Sequence, residues 1–158
     1  MIETLKLINY KTHAGHDGCN GFNADLSYKG KKIAHAYDDS WGGGIQYAVF
    51  EEKLFIELKE EIKKLPKIKT EIGEINTDLD IVIDDLARIL DIKKDEKKGI
   101  LVKHHSGWKI YGWDGLTIPK LISKFPSGLN AIQEYYDKLK KDEEILNANY
   151  LQSIGIKL

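Results

Sequence analysis

The hydrophobic period of this chain changes near residue 50, and no other feature restricts its fold as strongly. From Ile2 to about Tyr10, Phe22 to Tyr28, Ile33 to Tyr37 and Ile45 to Phe50, apolar residues recur close to every second position, the spacing of strands that bury one face. The clearest stretch is FNADLSY, in which Phe22, Ala24, Leu26 and Tyr28 share one face while Asn23, Asp25 and Ser27 take the other. KGKK at 29–32 follows at once, and its Gly30 supplies the turn of a hairpin. In EEKLFIELKEEIKKLP the period becomes 3.6, with Leu54, Phe55, Leu58, Ile62 and Leu65 in one stripe, Glu51 and Glu52 in the first turn and Pro66 as the stop.

Beyond that helix, KIKTEIGEI at 67–75 reads equally as a short extended stretch or an irregular connection. NTDLDIVIDDLARILDI places Leu79, Val82, Ile83, Leu86 and Leu90 at helical spacing behind cap candidates at 76–78. ILVKHHSGWKIYGWDG returns to extended character with HSG at a hairpin tip. TIPKLISKF opens a helix with Thr117 as cap, and the rest reads as one long helix or two shorter ones closing at Gly155. The expectation is one α+β domain over 1–158, with a mostly antiparallel sheet and helices packed on one side. It is strand-rich over 1–50, helical over 51–92, a hairpin over 100–113, and helical again over 117–155.

Composition bounds the partners. With 158 residues, 42% of them hydrophobic, the chain has enough apolar material for a core without a staple. The 24 basic and 25 acidic residues nearly cancel, so no net positive field draws the protein to nucleic acid or anionic membranes. Arg88 is the only arginine, which removes the usual bidentate grip on guanine or phosphate, so no sequence-specific DNA binding is expected. No apolar run reaches the length of a membrane span, and MIETLKLINY has no signal-peptide pattern. Cys19 is the only cysteine, in keeping with a reducing, cytoplasmic setting.

Three stretches carry chemistry. THAGHDGCNG, at 12–21, packs two histidines among glycines whose spacing fits neither the dinucleotide fingerprint nor the phosphate loop, because a strand follows the last glycine. It can form a backbone nest for an anion, with His13, His16 and Asp17 at hand, or simply a polar turn. A metal reading takes His13, His16 and Cys19 at intervals of three, completed by His35, Asp38 or Asp39. AYDDSWGGGIQY, at 36–47, sets Asp38, Asp39 and Trp41 against Gly42, Gly43 and Gly44, where a ligand can approach the backbone closely and Trp41 can stack as a lid. Its aspartates could also work as acid and base if burial raised one of them. KHHSGWKIYGWDG interleaves Lys103, His104, His105, Trp108 and Trp113 in the manner of a stacking surface, although one aromatic row belongs to the core.

NYKTHAGHDG followed by ADLSYKGKKIAHAYDDSWGGG resembles the N-terminal half of small phage and prophage proteins that share a glycine and histidine turn, a strand, a GKK turn and an acidic glycine-rich loop. The likeness covers roughly the first 50 residues. It implies an accessory phage protein, acting against host defences by binding a host protein or a small anionic or nucleotide ligand; it assigns no residue a role. The sequence thus favours a binding module without a cofactor, its loops 13–21 and 38–44 meeting at one end of the sheet. Two other readings stand beside it: a metal-dependent hydrolase using the His and Asp cluster, and an assembly protein. The last would self-associate through a C-terminal helix with Ile132, Leu139 and Leu146 at heptad spacing.

Overall fold

A computed structural model of the chain describes residues 2–15, 20–105 and 107–158. Its contacts divide the chain into two compact units, Met1–Arg88 and Ile89–Leu158, and the class is α+β with every strand pair antiparallel.

The first unit is built on a four-stranded sheet in the order β1 (Leu5–Ala14), β2 (Asn20–Tyr28), β3 (Lys31–Asp38), β4 (Gln46–Val49). Phe22, Ala24, Leu26 and Tyr28 are all buried, as their alternation requires, beside Leu5, Leu7, Ile33 and Ala36. Lys29 and Gly30 both hold positive φ, 52° and 78°, the two-residue turn whose twist matches that of the strands it joins. The helix α1 (Glu52–Ile62) buries Leu58 and Ile62, and contacts β3. KIKTEIGEI forms a small hairpin, β5 (Ile68–Thr70) with β6 (Gly73–Ile75). The helix α2 (Leu79–Asp95) buries Leu79, Val82, Ile83 and Ala87, and Asp78 caps it by accepting the amide of Ile81 at 3.0 Å.

Two β-bulges interrupt the sheet. Ile8 faces Asp25 and Lys11 faces Asn23, so Asn9 and Tyr10 together oppose one residue of β2, with Asn9 at φ 55°. Leu26 faces Ala34 but Ser27 faces Lys32, leaving Ile33 as the extra residue of β3. The first bulge corrects the sequence reading. Alternation breaks at INYK, which makes a strand ending at Tyr10 the natural inference, yet β1 resumes and runs on to Ala14. His13 pairs with Gly21 and Ala14 with Asn20, so 13, 14, 20 and 21 are strand and not loop.

In the second unit, β7 (Ile100–His104) and β8 (Gly107–Tyr111) form the expected hairpin. Three helices follow: α3 (Ile118–Lys124) behind Thr117, α4 (Gly128–Leu139) and α5 (Ala148–Ser153). Their core is Ile100, Val102, Ile118, Leu121, Ile132, Tyr136, Leu151 and Ile156. The heptad seam is not formed. Between α4 and α5 the chain is recruited by β7: Lys103 donates its amide to Glu144, Leu146 donates to Leu101, and Ile145 bridges to Val102. Leu146 therefore lies outside any helix, Ile132 is consumed by the core and Leu139 packs against it. Asn147 fixes this junction from a buried position, donating to the carbonyls of Glu96 and Gly99 at 3.0 and 2.8 Å and accepting the amide of Leu101 at 2.9 Å.

Candidate functional site

Pairing of β1, β2 and β3 brings Asn20 and Gly21, at the end of the first glycine-rich segment, beside Asp38 in the second. Gly21 is buried with no room for a side chain: a Cβ there would strike the carbonyl oxygen of Asp38 and the ring of His13. His13 lies flat beside Tyr37, centroids 5.5 Å apart and planes 11° apart, and its Nδ1 stands 3.4 Å from the Asn23 amide nitrogen. Its Nε2 is buried with no hydrogen-bond partner among the described residues. Asp38 ends β3, and Oδ1 accepts the amide of Ser40 at 2.8 Å, while Asp39 Oδ1 accepts that of Trp41 at 2.9 Å. Both carboxylates thus fold the turn locally, which the left-handed Ser40 (φ 62°) makes tight.

Beyond this turn lies a cavity of about 310 Å3 lined by Asn20, Asp38, Ser40, Gly42, Gly44, Ile45, Asp80 and Asp84. Asn20 comes from the first glycine-rich segment, the next five from the second, and the two aspartates from the first turns of α2. Among the described residues that line it, none is cationic. Asp80 is clamped by the strand opposite: Oδ1 accepts the Tyr47 hydroxyl at 2.8 Å and Oδ2 faces the Ile45 amide at 3.3 Å. Gly44, at φ 75°, lets the backbone come this near, since a Cβ there would sit 3.3 Å from Asp80 Oδ2. Burial, reinforced by the Asp80 carboxylate, pushes the Tyr47 hydroxyl far above its ordinary range, so it remains a donor.

Asp84 is different. It makes no hydrogen bond or ion pair with any described residue. Although the residue as a whole is exposed, its carboxyl loses water and faces Asp38, Asp80, Asp85 and Asp78, and together these push its pKa up to about 6. A cavity with one bonded carboxylate, one turn-forming carboxylate and one uncompensated carboxylate favours a positively charged guest.

Among the residues singled out from sequence, Asp38, Gly42 and Gly44 line this cavity. Gly43 has open space around it, and Asp39 is confined to its turn. Trp41 is 70% exposed, so it does not close over the cavity as a lid. His16, Asp17 and Cys19 lie outside the described residues. His35 is in the middle of β3, its Nδ1 2.9 Å from Asp25 Oδ1. Among the described residues no three His, Cys, Asp or Glu side chains are arranged to hold a metal ion. The third stretch divides: Lys103 pairs with Glu144 at 2.7 Å, Trp108 Nε1 donates to Asp95 at 3.2 Å, and Trp113 packs edge-on to Tyr135 and against the core. The rings of His104 and His105 lie 4.0 Å apart, tilted by 46°.

Sequence reasoning passed over Asn20, Asp80, Asp84 and Tyr47. A signal existed in DLDIVIDD, where four aspartates crowd the start of a helix with no cation before Arg88. Acidic first turns are common for reasons of helix dipole alone, so the pattern does not stand out without the loop opposite. Comparison with family models, with curated proteins and with solved structures gave no match for this chain. No helix among the described residues is long and apolar enough to cross a membrane.

Proposed function

We propose that the protein is a binding module whose acidic cavity receives a cationic group, either a lysine or arginine side chain of a partner protein or a small amine. The observation that carries this reading is Asp84, a carboxylate with a pKa of about 6 and no hydrogen-bond or ion-pair partner among the described residues, in a cavity whose described lining includes no cation. An ammonium or guanidinium group entering there relieves repulsion among carboxylates that the fold alone leaves in place. The same charges count against the anionic or nucleotide ligand expected from the glycine-rich loops, because a phosphate would meet Asp38, Asp80 and Asp84. The resemblance to phage and prophage proteins supports a cytoplasmic accessory role in which the partner is a host protein.

Thermal unfolding with spermidine, a lysine-arginine dipeptide, ATP and a cyclic nucleotide, each at constant ionic strength, tests this. A ligand at about 100 times its dissociation constant adds about 2.7 kcal/mol, a clear rise in Tm. The expected result is a rise with the two cations that vanishes in Asp84→Asn. A rise confined to the nucleotides, or one that Asp84→Asn leaves intact, would overturn the proposal.

A further inference from the structure

Away from that cavity, the two bulges of the sheet converge on a single carboxylate. Asp25 projects from the sheet face opposite the Leu26 core, in the row that holds exposed Ile8, yet it is only 5% exposed. The bulge in β1 swings Asn9 so that its Nδ2 donates to Asp25 Oδ2 at 2.8 Å. The bulge in β3 absorbs Ile33 and turns Lys32 to the same face, 3.0 Å from Oδ2. Directly across the strand pair, His35 places Nδ1 2.9 Å from Oδ1. Bulges re-aim side chains at functional sites, and Asn9 holds a left-handed conformation uncommon for a residue with a side chain. Hydrogen bonds from Asn9 and His35, with Lys32, hold the Asp25 carboxyl down at about 2, so it stays ionised across the physiological range.

Asn9 and Lys32 already satisfy one oxygen of this carboxylate, and a structural role needs no third donor that carries a second reactive nitrogen. His35 keeps 40% of its side chain exposed, and an ionised acceptor at Nδ1 fixes the proton there, which leaves the lone pair on Nε2. We propose that His35 Nε2 is a nucleophile that accepts a phosphoryl group from a small acyl phosphate or phosphoramidate donor, with Asp25 as its positioning residue. The Nε2 lone pair forms the N–P bond. The bond from phosphorus to the donor's oxygen or nitrogen breaks, and acetate, or ammonia after taking a proton from water, leaves with the electron pair. The Nδ1 proton stays on the ring, and the positive charge the ring gains faces the Asp25 carboxylate.

The five histidines of the chain provide an internal comparison that needs no variant. The intact protein is incubated with potassium phosphoramidate at pH 8 and the sites of acid-labile phosphate are mapped by peptide mass spectrometry. His104 is the fair comparator, since burial, His105 and Lys109 lower its pKa and leave its ring a free lone pair at pH 8. The expected result is phosphorylation of His35 at least about tenfold faster than of His104. Asp25→Asn, checked for fold by circular dichroism, should remove that advantage, and Asp25→Glu should restore part of it. Equal rates at His35 and His104, or an advantage that survives in folded Asp25→Asn, would overturn the assignment.

Discussion

Replacing Asp84 by asparagine removes a charge that the fold holds at a disadvantage. The folded-state pKa of about 6 stands above the ordinary 3.8, so the ionised form is what the native structure resists. Below about pH 3.8 the carboxyl is protonated in both states and contributes nothing. Between 3.8 and 6 the unfolded chain ionises first, and the penalty on the native state grows; above 6 it is complete. That gap sets a ceiling of about 3 kcal/mol, at about 1.36 kcal/mol per pH unit. Because Asp84 is exposed, solvent screening reduces the expected gain for Asp84→Asn to about 1 kcal/mol at pH 8. Urea unfolding at low ionic strength, at pH 8 and at pH 3.5, measures it. The variant should be more stable than the wild type at pH 8 and equal to it at pH 3.5. Asp80→Asn is the control: it disturbs the bonds to Tyr47 and Ile45 and should destabilise. A loss of stability in Asp84→Asn at pH 8, or a gain that does not change with pH, would refute the reasoning.

Other substitutions probe the rest of the frame. Asp25→Asn should destabilise by about 2 kcal/mol at pH 7, since its pKa is lowered in the fold; the difference should fade as pH drops from 3.8 towards 2, which urea titration across that window reads. Gly21→Ala drives a methyl group against the Asp38 carbonyl and the His13 ring and should lower stability by about 2 kcal/mol or more in thermal unfolding. Asn147→Ala leaves the carbonyls of Glu96 and Gly99 and the amide of Leu101 without that partner and should cost about 3 kcal/mol. Hydrogen exchange should show that loss as faster exchange of the Leu101 amide.

Alternation and helical spacing made most of this fold legible. The faces of FNADLSY, the turn at Lys29–Gly30, the cap at Asp78 and the start of α3 behind Thr117 each follow from local chemistry, and each forms where local chemistry places it. What stayed hidden depends on pairing between distant segments. Bulges leave no residue signature, so the continuation of β1 to Ala14 and the delivery of Asn9 and Lys32 to Asp25 could not be read from spacing. The break between α4 and α5 arises because the free edge of β7 captures 144–146, a competition that heptad spacing in 132–146 does not reveal. Of the candidate site, the approach of Gly21 to Asp38 follows from pairing consecutive strands, which brings their ends together. The charge of the site was not legible, because Asp80 and Asp84 belong to a helix more than thirty residues further along the chain.

Everything proposed for the cavity depends on Asp84 being a carboxylate in want of a cation. Carbon-detected NMR of the Asp84 carboxyl, titrated from pH 3 to pH 9 with and without saturating spermidine, measures that directly. The midpoint should lie near 6 in the protein alone and fall by at least about one pH unit when the amine is bound. A midpoint near 3.8 in the protein alone, or one that spermidine leaves unmoved, would contradict the account.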